Sequence, residues 1–269
     1  MAPEGVSDTG RMQYAPTGTL RLERVSLSFG GVQAIRDLSF VVPAGSICGL
    51  IGPNGAGKTS VLNVISRFYR PQHGAVFYGE TDVLHLRPYE VIAHHIGRSF
   101  QNVALFKELS VLDNLLLGVD HQSRAGLVQN TLRLPAARRH ERAARARAAE
   151  VLDFLEIAHL RHRRGGELAF GDQKLVDIGR ALMARPTLLL LDEPAAGLPD
   201  TRKTWLGDVI RRIPHASGAT VLLIDHDMGL VLGVSSRVVV MEYGTKIAEG
   251  TPAAIRADPR VLDAYLGTE

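Results

Sequence analysis

Cysteine occurs once in the 269 residues, at Cys48, so no disulfide framework can form within the chain. No run comes near the roughly 20 apolar residues that a membrane-crossing helix needs. Residues Met1 to Gly18 have no apolar stretch of the kind that marks a secretory leader. They are rich in small and polar side chains and read as a flexible tail, with order expected to begin near Thr19. These absences lead us to expect a cytoplasmic protein. A marked charge imbalance is missing too. Lys and Arg number 31 against 28 Asp and Glu, a net +3, which is too small an excess to argue for nucleic-acid binding, though compatible with an anionic membrane surface. There is no internal repeat. What remains is an ordinary globular composition, 45% hydrophobic and 22% charged, at the upper size of a single domain. Cys48 falls in an apolar run and is expected to be an inert core residue rather than a reactive thiol.

Against this plain background stands Gly52-Pro-Asn-Gly-Ala-Gly-Lys-Thr59, which satisfies the G-x-x-x-x-G-K-[ST] phosphate-binding pattern. It follows Ile47 to Ile51, a run suited to a buried parallel strand, and precedes Val61, Leu62, Ile65 and Phe68 at helical spacing. In a strand-to-helix loop, Gly52, Gly55 and Gly57, with Pro53, Asn54 and Ala56 between them, let the backbone wrap an anion with its N–H groups inward. The helix N-terminus adds about half a positive charge. Lys58 is expected to reach the β- and γ-phosphates and the Thr59 hydroxyl to ligate Mg²⁺, with Ser60 as a nearby second hydroxyl.

The order of segments sets a fold class. Leu20/Leu22 and Val25/Leu27/Phe29 alternate, Gly30-Gly31 turns, and Leu38 to Val42 is a second extended run. Ala75 to Tyr78 and Arg98 to Gln101 read as further strands, and the composition turns helical from about Val111 to Ala184. Leu188 to Leu191, Val221 to Ile224 and Val238 to Met241 are wholly apolar runs, as buried parallel strands require. The pattern predicts an α/β nucleotide-binding core that carries an inserted helical lobe.

The run Leu188 to Leu191 ends in Asp192-Glu193, which sets a carboxylate at the edge of a sheet where ligands gather. Asp192 is expected to hold Mg²⁺ and Glu193 to orient or deprotonate the attacking water. A further strand ends in Asp225-His226-Asp227, where His226 can hydrogen-bond the γ-phosphate or the attacking water. Gln101 can complete the metal shell through its amide oxygen or report on the γ-phosphate.

Taken together and in this order, these motifs resemble the ATP-binding subunits of ATP-binding-cassette transporters, over roughly Thr19 to Glu269. The resemblance implies a P-loop NTPase fold of ABC type, with an antiparallel β subdomain, a helical subdomain inserted at about residues 102–184 and a C-terminal extension at about 250–269. It implies ATP and Mg²⁺ as cofactors, Phe29 stacked on adenine, Gln101 as the Q-loop glutamine, Glu193 as the catalytic glutamate and His226 as the switch histidine. Leu168-Ala-Phe-Gly-Asp-Gln173 resembles the signature segment, with Ala169, Phe170 and Gly171 gripping the nucleotide of a partner subunit. Two departures stand out. Ala169 replaces the usual serine, and Pro199 replaces the usual D-loop aspartate, with Asp200 one residue late.

The form of the signature, the sequence after Asp192 and the ending Asp258 to Gly267 are similar to the branched-chain amino acid importer subgroup. The solute this implies is a branched-chain or other hydrophobic amino acid; urea, short amides, envelope lipid or a non-transport nucleotide switch stay open as alternatives. The implied partners are transmembrane permease subunits, a second ATP-binding subunit and, indirectly, an extracytoplasmic solute-binding protein, all at the cytoplasmic face of the cell membrane. No nucleic acid is expected. Ala136 to Glu150 is a strong helix former with Arg138, Arg142 and Arg145 on one face, read either as a solvated helix or as a contact for acidic headgroups. Val103, Leu105 and Phe106 are read either as a docking patch for the membrane partner or as core. Trp205 and the other aromatics are read as packing residues.

Overall fold

A computed structural model describes residues 17–99, 105–122 and 135–266. Two sheets organise it. Strands β1 (Leu20–Phe29), β2 (Val32–Val42), β4 (His73–Tyr78) and β5 (Thr81–Asp82) form an antiparallel sheet in the order β2-β1-β4-β5. The second sheet contains β3 (Ile47–Ile51), β6 (Ile96–Arg98), β7 (Leu188–Asp192), β8 (Thr220–Ile224), β9 (Arg237–Glu242) and β10 (Thr245–Gly250) in the order β10-β9-β3-β8-β7-β6. From β9 to β6 its neighbours are parallel; β10 joins β9 antiparallel.

The apolar runs in this second sheet have a simple cause. Successive side chains of a strand point to opposite faces, and here both faces are covered. Ile47, Ile51, Leu189, Leu191, Val221, Leu223, Val238 and Val240 enter one core, which also holds the helical lobe. Cys48, Leu50, Leu188, Leu190, Leu222, Ile224, Val239 and Met241 enter the other, against the antiparallel sheet and helix α1 (Lys58–Ile65). Cys48 is an interior residue, as expected, and burial pushes its thiol up to about 12.

The helical lobe contains α2 (Val111–Leu116), α3 (Pro135–Phe154) and α4 (Phe170–Met183). Helices α5 (Asp200–Ser217) and α6 (Met228–Val234) flank the sheet, and α7 (Pro252–Ala257) with α8 (Pro259–Leu266) closes the described chain. Asn114 is fully buried in α2. Its side chain accepts from the Phe106 N–H and donates to the carbonyls of Phe106, Leu109 and Ser110, which fixes the segment leading into the lobe.

Several expectations are corrected. The strand anticipated at Arg98 to Gln101 lies two residues earlier, because its ladder pairs Ile96, Gly97 and Arg98 with Leu188, Leu189 and Leu190; Gln101 lies outside the described residues, as does Val103. Phe68 does not continue α1. Arg67 turns left-handed (φ 63°) just after the helix, leaving Phe68 largely exposed. Among the described residues, the region from Val111 to Ala184 is helical as expected; between α3 and α4 Glu156 is left-handed (φ 58°) and short 3-10 turns follow. Close to Thr19, where order is expected to begin, the Thr17 hydroxyl donates to the Gly218 carbonyl at 2.6 Å. Trp205 does pack against the core and donates to Glu156 at 3.1 Å. Phe40 and Tyr78 are buried as well, but Tyr243 and Tyr89 do not pack and are among the most exposed large side chains.

Candidate nucleotide site

Four adjacent strands of the parallel sheet, β3, β8, β7 and β6, deliver their carboxyl ends to one edge. After β3 comes the phosphate loop; β7 ends at Asp192-Glu193; β8 leads to Asp225-His226-Asp227. In an open parallel sheet this edge is where ligands bind.

The loop is shaped by its glycines. Gly57 caps α1 with φ 97°, and a Cβ there would stand 2.2 Å from the Ala34 carbonyl oxygen. Asn54, Gly55 and Thr59 face outward while Gly52, Ala56 and Lys58 are buried, with Pro53, Gly57 and Ser60 between the two classes. The Lys58 ammonium donates to the carbonyls of Gly52 (2.7 Å) and Pro53 (2.9 Å). Burial draws its pKa below the ordinary lysine value, opposed by the charges of Glu193 and Asp192. Lys58, Asp192 and Glu193 therefore share one electrostatic neighbourhood, as their motifs require.

Asp192 is buried. Its Oδ2 accepts from Arg98 Nη2 at 2.8 Å, whereas Oδ1 is buried with no hydrogen-bond partner among the described residues. An acceptor of that kind suits a cation. Glu193, one residue on, adopts a left-handed backbone (φ 48°), a conformation that costs a non-glycine residue about 1–2 kcal/mol. Hydrogen bonds at both ends hold its backbone. Its N–H donates to the Ile224 carbonyl at 2.8 Å, and its carbonyl accepts from Lys174 Nζ at 3.0 Å and from the Ala196 N–H at 3.2 Å.

Lys174 was not anticipated. It is a buried cation on α4, with its ammonium 5.5 Å from the centre of the Phe170 ring. Burial lowers its pKa, while Asp177, Asp225, Glu193 and Asp192 raise it. Its signal in the sequence is that it lies on the apolar stripe with Ile178 and Leu182, four and eight residues on, where a charge needs a partner. Asp225 is likewise fully buried. Its two oxygens accept from the N–H groups of Ala195 (2.9 Å) and Asp227 (3.0 Å), joining the loop after β7 to the loop after β8. His226 is mostly exposed, with Nδ1 3.8 Å from Asp225. Lys203 on α5 ties Asp200 (3.0 Å) to Asp227 (2.8 Å).

Phe29 ends β1, nearly half exposed, and meets Tyr69 edge to face with ring centroids 4.9 Å apart. Tyr69 had not been singled out. The segment resembling a signature opens α4 with Ala169 as its cap residue, without a side-chain cap. Ala169 and Phe170 are exposed, and Phe170 and Gly171 lean on Gly197 and Leu198 of the loop after Glu193.

The loop between β3 and α1, set on a parallel sheet with a strand-end acidic pair two strands away, defines the class: a P-loop nucleoside triphosphatase. Comparison with known proteins narrows it. The profile of the ABC transporter family matches residues 35–196, and that of the branched-chain amino acid ATP-binding cassette transporters matches residues 245–269. The chain belongs to the ATP-hydrolysing, ATP-binding subunits of ABC transporters. LivG of Salmonella typhimurium, a high-affinity branched-chain amino acid transport ATP-binding protein, is 39% identical over 92% of this chain and 97% of its own length. BraF of Pseudomonas aeruginosa, which carries the same description, is 37% identical with the same coverage. Among solved structures, the ADP conformation of an ATP-binding cassette of an ABC transporter superposes with a TM-score of 0.81 at 33% identity, covering 93% of this chain and 99% of that one.

Proposed function

We propose that this chain energises the import of branched-chain amino acids from the cytoplasmic face of the cell membrane, as one of two ATP-binding subunits docked on transmembrane permeases that receive solute from an extracytoplasmic binding protein. The observation that carries the substrate class is the match of residues 245–269 to the branched-chain amino acid cassettes, together with relatives of that description over nearly the whole chain.

In this reading Phe29 stacks on adenine, and the loop from Gly52 to Gly57, with Lys58 and Ser60, holds the phosphates. The Thr59 hydroxyl and the Asp192 carboxylate, whose Oδ1 is the unpartnered buried acceptor, would hold Mg²⁺, with Gln101 as a further oxygen donor. When bound, the ion would neutralise phosphate charge. Glu193 orients and deprotonates the attacking water, its backbone held by Ile224 and Lys174. His226 meets the γ-phosphate, and the buried Asp225 fixes the backbone on either side of it. The exposed start of α4, with Ala169, Phe170 and Gly171, grips the nucleotide of the second subunit through backbone N–H groups.

For the permease we propose a groove of about 340 Å³ lined by Phe68, Pro88, Val91, Ile92, Leu117 and Ala181. Its occupant is a cytoplasmic helix of the membrane subunit. Phe68 and Leu117 on its wall are exposed, and a partner helix seated there would cover them.

Reconstitution into liposomes with the permeases and binding protein tests the proposal. Wild type should drive ATP-dependent uptake of leucine, isoleucine and valine. Glu193→Gln should bind ATP with near-normal affinity, turn over slower by about 10²-fold or more, and lose uptake. ATP-driven uptake of urea or an amide without leucine would overturn the substrate class, and near-normal hydrolysis by the variant would overturn the base.

A further inference from the structure

Arg98 sits at the end of β6, where a strand otherwise offers apolar side chains to the interior, and its side chain is 8% exposed. Its guanidinium reaches two elements at once. Nη1 donates to Asn63 Oδ1 (2.8 Å) and Ser66 Oγ (3.3 Å) at the end of α1, the helix that starts in the phosphate loop. Nη2 donates to Asp192 Oδ2 (2.8 Å) at the end of β7. The same side chain helps to line the apolar groove and lies 5.8 Å from the Phe68 ring centre.

A carboxylate held at one oxygen by a rigid planar fork has its other oxygen aimed in a fixed direction, and a fork anchored on a second element cannot swing with it. Asp192 is in that condition: Oδ2 is taken by Arg98, and Oδ1 has no partner among the described residues.

We propose that Arg98 is a positioning residue for metal binding: anchored on α1 through Asn63 and Ser66, it takes Asp192 Oδ2 and so presents Oδ1 to a divalent cation. This rests on the reading of Asp192 as a Mg²⁺ ligand. Arg98 touches neither nucleotide nor metal in this account. The groove wall and the metal carboxylate are then joined through one side chain.

Arg98→Lys isolates the effect of orientation, since it keeps the positive charge but cannot span Asn63 and Asp192 together. Affinity for a fluorescent ADP analogue, titrated with Mg²⁺ and again in EDTA, gives a readout independent of turnover. The Mg²⁺ concentration for half-maximal tightening should rise about tenfold, the scale on which ligand-orienting neighbours act, while EDTA affinity stays within about twofold of wild type. Asn63→Ala, which alters no charge and leaves Asp192 untouched, should move it the same way by about threefold; it decides the matter if Arg98→Lys does not fold. Mg²⁺ dependence unchanged in folded variants overturns the proposal, as do equal losses with and without Mg²⁺, which would reduce Arg98 to a strut. A wild type indifferent to Mg²⁺ would instead overturn the assignment of Asp192.

Discussion

In the proposed reading, Lys58 shows how a single residue is prepared for anion binding. Its ammonium already accepts the cost of burial and is held over the loop by two neutral carbonyls, so phosphate oxygens offer it charged acceptors in place of neutral ones. Lys58→Ala should therefore weaken ATP binding by roughly ten- to a hundredfold, from the loss of a charge-assisted bond of about 1.5–3 kcal/mol. AMP, without the β- and γ-phosphates, should be affected less. Calorimetry with both nucleotides checks this, and equal losses would show that Lys58 supports the fold instead. The placement of Lys58, Asp192 and Glu193 at one sheet edge was legible in the sequence because each sits at a fixed offset from a strand. Arg98, Lys174 and Asp225 were not, since their roles come from partners 94, 19 and 30 residues away. Only Lys174 left a trace, as a charge on an apolar stripe.

At the scale of elements, the unit of β3, loop and α1 was read correctly for a physical reason: a buried parallel strand has no polar face, and a loop that must cradle an anion needs glycine at particular places. Those places are not equivalent. Gly55 (φ 79°) has nothing within 4 Å of an added Cβ, while one at Gly57 would collide with the Ala34 carbonyl of β2. Gly55→Ala should cost only the left-handed strain, about 1–2 kcal/mol. Gly57→Ala adds a backbone clash that must displace either the loop or β2, and should cost on the order of 3 kcal/mol or more. Denaturant midpoints of the two variants measure the difference, and equal destabilisation would contradict the packing described. Elements without such signatures were legible only in part. The strand β6 is three residues long with Gly97 at its centre, so its position is set by pairing with β7 and not by its own pattern. The lobe reads as helical in composition, yet its breaks depend on left-handed residues such as Glu156, which no side-chain preference announces.

For the whole molecule, the open question is how the exposed start of α4 takes part. Its helix points an uncapped N-terminus outward, and such a terminus binds anions. If it completes the site of a second subunit, one chain holds two incomplete halves, and hydrolysis needs an encounter between chains. Specific ATPase activity should then rise with protein concentration until the dimer saturates. Mixing offers a sharper measurement. Lys58→Ala disables the phosphate loop and Gly171→Glu the signature, so each variant alone has no intact composite site. Their heterodimer has one, made from the phosphate loop of the Gly171→Glu chain and the signature of the Lys58→Ala chain. With random pairing, half the dimers are mixed and each carries one working site of two, so about a quarter of wild-type activity should return if the sites act independently. Strong coupling between the sites would lower that fraction without abolishing it. Activity independent of concentration, together with no recovery in mixtures shown by native mass spectrometry to contain heterodimers, would mean that each chain holds a complete site and that α4 serves its own nucleotide.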